Sequence, residues 1–212
     1  MTVVSASKPG LLPAADTRST VLAITLIVTG VIGWFAAFRL TIDKFELLVH
    51  PQAQLDCNFS VLVQCGRNLE SWQGALLGFP NPILGLGGFV APIAVGVALL
   101  GGARFSRWFW IAFNVGVAGA MAFVIWLMTQ SIFALGTLCV YCMLTWSVVI
   151  PMFLVLTSRN AREGVFGDRL RAAGRIATQW VVTIDLVSYV IVALLAQMRL
   201  EWIQALMLSV GA

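Results

Sequence analysis

Five runs of about 20 apolar residues dominate this chain, at positions 21–40, 83–102, 108–128, 138–157 and 180–200. Each has the length an α-helix needs to cross the hydrocarbon core of a bilayer, where a helix satisfies its own backbone polar groups. Charge is nearly absent from them: Arg39 and Arg199 stand at the far ends of the first and fifth, and Asp185 lies inside the fifth. Hydrophobic residues make up 60% of the 212 and charged residues 10%, a surface that water would not tolerate around a soluble domain. The expectation is an all-α integral membrane protein. The first run exceeds the apolar region of a cleaved signal peptide and reads as a retained span.

The basic residues orient the spans. With the N-terminus inside, the inner segments hold Lys8, Arg18, Arg104, Arg107, Arg159, Arg162, Arg169, Arg171 and Arg175, against Arg39, Lys44, Arg67 and Arg199 elsewhere. The positive-inside rule then predicts a cytoplasmic N-terminus. The same placement accounts for the net charge of +4 without nucleic acid, for which no motif speaks. Residues 1–20 read as a cytoplasmic tail, 21–158 as a four-span core, 159–179 as a basic cytoplasmic loop and 180–212 as a fifth span with a short outer tail.

The long polar segment at 41–82 falls outside and carries Cys57 and Cys65. Ile42, Phe45, Leu48 and Val49 recur at helical spacing, as do Leu69, Trp72, Leu76 and Leu77, which predicts two short interfacial helices. The apolar stretch 59–63 between the cysteines would press onto the bundle, making the segment a cap. Phe79-Pro80-Asn81-Pro82 breaks the chain, with Pro82 suited to the first helical position of the second span.

A second cysteine pair, Cys139 and Cys142, heads the fourth span. With Thr137 as the helix cap, both sulfurs fall on nearly one face, and the helix N-terminus favours a thiolate at Cys139. Both pairs lie on the outer side, where disulfide exchange between them is possible. Four cysteines allow three pairings, and spacing does not choose among them.

The order of the pairs, Cys57-x7-Cys65 in the first outer loop and Cys139-x2-Cys142 at the fourth span, resembles the vitamin K epoxide reductase family over about residues 20 to 158. Ser71, six residues after Cys65, and Asn81 before the second span stand where that family has a Ser and an Asn. DsbB-type quinone reductases carry their Cys-x-x-Cys in the first outer loop instead. The resemblance implies a four-helix bundle around a quinone, menaquinone or ubiquinone, with the fifth span outside it. It implies that Cys142 faces the quinone, that Cys139 resolves it, that Cys65 exchanges with Cys139 and that Cys57 meets an external thiol protein.

It further implies that Ser71, Asn81 and Trp146 border the quinone, Asn81 as a hydrogen-bond donor and Ser71 as a donor to a cysteine sulfur. Vertebrate members have Tyr where this chain has Trp146, which points away from epoxide reduction and toward the quinone-reducing role of bacterial members. With only residues 201–212 after the fifth span, the expected partner is a separate DsbA-like thioredoxin-fold protein outside a bacterial cytoplasmic membrane.

Other residues invite weaker readings. Asp185 inside a span suggests a proton relay or a buried pair. His50, the single histidine, does not complete a structural zinc spacing with cysteines divided between a loop and a helix start, so no metal is expected. The alternative from another class is a transporter or assembly factor whose cysteines are structural staples.

Overall fold

A computed structural model describes residues 17–60 and 62–200, so most of the tail expected at 1–20 and the outer tail at 201–212 lie outside the described residues. Among the described residues the architecture is all-helical, with five helical segments long and apolar enough to cross a membrane. Helix α1 (Thr17–Val49) is followed by the cap, which holds α2 (Gly66–Glu70) and a 3-10 turn at Trp72–Ala75. The second span is α3 (Asn81–Gly88) continued by α4 (Val90–Leu100), and α5 (Arg107–Thr129), α6 (Val140–Arg162) and α7 (Arg171–Leu200) complete the bundle. Adjacent spans alternate in direction, so the four cysteines gather at one end and the loop arginines at the other.

Where the helices end follows from local chemistry. No breaker stands between Leu40 and Pro51, so α1 runs on through Asp43 and Glu46. The first short helix expected in the cap is therefore the last turns of α1, and only the second is separate. Thr25, Thr29 and Thr41 return their hydroxyls to carbonyls one turn back, hiding them from the apolar surroundings. Pro92 cannot coexist with a helical Gly88 carbonyl, which is where α3 gives way to α4. The stretch after α5 is a π-helical segment at Gln130–Leu135 that stops at Gly136, whose φ of +66° suits glycine.

The basic stretch 159–179 is mostly helix as well: it holds the end of α6, a 3-10 turn at Asp168–Leu170 and the first turns of α7.

Packing between spans uses small residues and a few buried hydrogen bonds. A Cβ on Gly30 would lie 2.7 Å from the Ile93 side chain, and one on Gly96 would lie 2.7 Å from the Ala23 carbonyl, so α1 and α4 meet almost backbone to backbone. At the arginine end, Asn160 donates to the Asn114 side chain at 3.0 Å, and the Arg159 guanidinium lies 4.2 Å from the Trp110 ring centre. Pro151 frees the Ser147 carbonyl in α6, and the Tyr189 hydroxyl of α7 donates to it at 2.7 Å. That bond fastens the fifth span to the fourth.

Candidate active site

The cap is held to the head of α6 by backbone and side-chain bonds. Val63 pairs with Leu138 in a short parallel bridge, in which Leu138 N–H donates to the Leu62 carbonyl at 2.7 Å and Gln64 N–H to the Leu138 carbonyl at 2.9 Å. Asn68 donates to the Thr137 hydroxyl at 3.1 Å and accepts from the Ser131 hydroxyl at 2.7 Å. Thr137 is thus engaged by the cap and does not cap α6. Cys139 does, its sulfur accepting from the Cys142 N–H at 3.4 Å. Phe59, within the stretch expected to press onto the bundle, is 72% exposed, and the attachment is made by backbone at 62–64 instead.

These attachments bring three sulfurs together. Cys57 and Cys65 form a disulfide with Cα atoms 5.8 Å apart, and Asn58 closes the loop by accepting the Cys65 N–H at 2.9 Å. Cys139 and Cys142 are free thiols. The Cys139 sulfur stands 3.2 Å from the Cys65 sulfur, close enough for one to attack the other. Cys65 and Cys139 are fully buried and Cys57 is 2% exposed, packed among Leu40, Leu47, Leu55 and Leu69. The Cys142 thiol, then the backbone N–H groups of Cys142 and Tyr141, hold the Cys139 thiol below its ordinary range in spite of burial. A lowered thiol is the better leaving group in exchange.

A carboxylate belongs to the same cluster. Asp43 is 5% exposed, and its Oδ2 lies 3.5 Å from the Cys57 sulfur. Asp43 falls within the stretch 42–49, where the spacing of apolar residues predicts a short interfacial helix. The legible signal was the unbroken run to Pro51, which carries α1 up beside the cap. His50 is not part of this cluster, and the sulfurs that would join Asp43 around a metal ion are those of the disulfide.

Behind Cys142 opens a cavity of about 690 Å³ between the α3–α4 span and α5, roofed by the cap. Cys142, Ser71, Asn81 and Trp146 all line it, and among the described residues no charged side chain does. Asn81 spends its amide on the roof, donating to the Gln73 carbonyl at 2.6 Å and accepting the Leu76 N–H at 3.1 Å, with one N–H left over. Ser71 donates to the Asn68 carbonyl at 2.8 Å and accepts the Gly74 N–H at 3.2 Å, so its hydroxyl serves the cap's turn and not a sulfur. Trp146 is buried in the wall. Gln73 was not anticipated: it lines the cavity and donates to Gln130 Oε1 at 3.4 Å, while its own Oε1 is buried without a hydrogen-bond partner among the described residues. Asp185 does not line the cavity.

An apolar space of this size, with one remaining Asn81 N–H at its roof, fits a flat lipid-soluble molecule bearing a ring oxygen. No curated protein matches the chain. The model of the vitamin K epoxide reductase family, however, matches residues 24–157, which take in both cysteine pairs, the cap and the whole four-span cavity. Its members are membrane oxidoreductases that use quinones, and by this match together with the five-span helical architecture the chain belongs to the vitamin K epoxide reductase family.

Proposed function

We propose that the protein is a thiol:quinone oxidoreductase of a bacterial cytoplasmic membrane, which reoxidises a separate DsbA-like thioredoxin-fold protein and so sustains disulfide formation outside the cell. The observation that carries this reading is the approach of Cys139 to Cys65 at 3.2 Å, with Cys142 on the cavity wall immediately behind. A partner dithiol gives two electrons and two protons when it closes to a disulfide. The Cys57–Cys65 disulfide takes up those electrons. Cys65, as a thiolate, then attacks a Cys139–Cys142 disulfide at Cys139 and releases Cys142 toward the cavity. Cys57 closes on Cys65, restoring the first disulfide and leaving both cysteines of α6 reduced, which is the state described above.

A quinone, menaquinone or ubiquinone, supplies a two-electron, two-proton acceptor when bound in the cavity. The residues around it would orient and shield: the remaining Asn81 N–H would donate to a ring oxygen, and Trp146 would pack against the ring from the cavity wall. The cap excludes water, so electrons reach the cavity through sulfur and not through solvent.

The test is the loss of quinone absorbance with purified protein, a reduced thioredoxin-fold dithiol and a soluble quinone. Turnover is expected, and Cys57→Ala and Cys142→Ala should each abolish it with the protein donor. If intact protein consumed neither a menaquinone nor a ubiquinone analogue with any dithiol, the cysteines would revert to structural staples.

A further inference from the structure

The relay as described moves electrons among sulfurs but assigns no group to the proton of Cys57. Cys57 must be a thiolate to close on Cys65, and it sits in an apolar pocket where a thiol resists ionisation. The structure puts one carboxylate there. Asp43 projects from the last turns of α1 with its Oδ2 3.5 Å from the Cys57 sulfur, and this carboxylate and the Cys57 and Cys65 sulfurs all lie within 4.8 Å of one another.

Burying a carboxylate is costly unless it is paired and hydrogen-bonded. Here the pairing is incomplete. Arg39, one turn earlier, stands 3.9 Å from Oδ1, outside direct hydrogen-bonding range, and the same guanidinium is taken by Asp56 at 3.3 Å and by the Tyr141 hydroxyl at 3.2 Å. Packing alone would be better served by an apolar residue among Leu40, Leu47 and Leu55. A carboxylate beside a sulfur that must repeatedly lose and regain a proton has a chemical use.

We propose that Asp43 is a catalytic residue of the relay, taking the proton of Cys57 as that sulfur closes on a Cys65–Cys139 disulfide and returning it when the exchange runs backward. The step balances: the Cys57 thiol, the Asp43 carboxylate and the Cys65–Cys139 disulfide become the Cys57–Cys65 disulfide, the Asp43 carboxylic acid and the Cys139 thiolate. One S–S bond forms, one breaks, and no outside oxidant is needed. Arg39 is a positioning residue, tying α1 to the cap through Asp56 and to α6 through Tyr141. The inference rests on the relay proposed above but not on its quinone or its partner. The charged and titratable groups around Asp43 are Arg39 and Glu46 on α1, Asp56, Cys57 and Cys65 in the cap, and Cys139 and Tyr141 at the head of α6.

The experiment isolates this step. In a Cys142→Ala background, electrons cannot pass to the cavity, and the single disulfide shuttles between Cys57–Cys65 and Cys65–Cys139. After a pH jump, relaxation between the two is read by acid quench, thiol alkylation and mass spectrometry. Adding Asp43→Asn should slow relaxation about 10- to 100-fold near pH 7, the range in which a general base contributes. The deficit should shrink as pH rises and Cys57 ionises unaided, and Asp43→Glu should keep the rate within about threefold. Asp43→Ser repeats the comparison should the Asn variant not accumulate.

A neutral variant that relaxes at the parental rate, or that is slowed by one factor at every pH, overturns the proposal, the second result marking a structural role. Failure of Asp43→Glu to retain the rate overturns it too. If the Cys65–Cys139 disulfide never forms while Asp43 is intact, the relay reading itself falls and takes this one with it.

Discussion

At the scale of single residues, the chemistry turns on how Cys139 is stabilised as a thiolate. Its largest support is the Cys142 thiol, with backbone N–H groups of the first helical turn behind it. Because Cys139 ionises at lower pH folded than unfolded, the stability it contributes is complete above the unfolded thiol value near 9.0 and is lost as pH falls through the folded one. Thiolate absorbance near 240 nm should therefore titrate below the ordinary thiol range. Cys142→Ala should move that titration upward, and Cys142→Ser, which restores a donor, should recover part of the difference. An unchanged titration in Cys142→Ala would assign the effect to the backbone alone. The spacing of the cysteines was legible in the sequence because disulfide chemistry demands proximity that few other roles do. Asp43 and Gln73 were not, since a carboxylate in a polar segment and a glutamine after a tryptophan look like solvated surface until the fold buries them.

At the scale of elements, the cap is a lid whose hold is divided between backbone and side chains. Asn68 reaches from α2 to both Thr137 and Ser131, beside the Val63–Leu138 bridge and the bonds from Lys44 to the Leu69 carbonyl, Gln73 to Gln130 and Arg39 to Asp56. Each hydrogen bond is worth about 1 kcal/mol net, so losing two should make opening roughly 10- to 30-fold more frequent. Asn68→Ala should accordingly raise the rate at which maleimide modifies Cys139, fully buried when the cap is closed, by about that factor. A rate equal to that of the parent would place the hold on the cap's other bonds.

The sequence predicted the cap as an element, from its polarity between two apolar runs and its short helical periodicity. What it could not give was the division of labour within it. Thr137 reads as a helix cap by residue type and position, yet the cap's Asn68 claims its hydroxyl and leaves the capping to a sulfur. Likewise α1 overran its apolar stretch because hydropathy marks where a helix enters water, whereas Pro51 marks where this one has to end.

At the scale of the whole molecule, four spans enclose a cavity opening behind a cysteine, while α7 lies outside it, fastened to α6 through Tyr189. The number of spans and the gathering of both cysteine pairs at one end were legible because bilayer thickness fixes helix length and alternation fixes which loops share a side. The cavity was not, since it arises where α3–α4 stands away from α5, a matter of shape that periodicity does not encode. Direction in the membrane is the remaining property, and it rests on charge: Arg104, Arg107, Arg162, Arg169, Arg171 and Arg175 stand at the end opposite the cysteines, which predicts that this end faces the cytoplasm. Two exposed positions report on it, Phe59 in the cap and Ala103 in the turn between α4 and α5. With the four native cysteines replaced by Ala, Phe59→Cys should react with a membrane-impermeant maleimide added to intact spheroplasts. Ala103→Cys should react only after the membrane is opened. The reverse pattern would put the relay in the reducing cytoplasm, where a pathway that makes disulfides for export has no donor to serve.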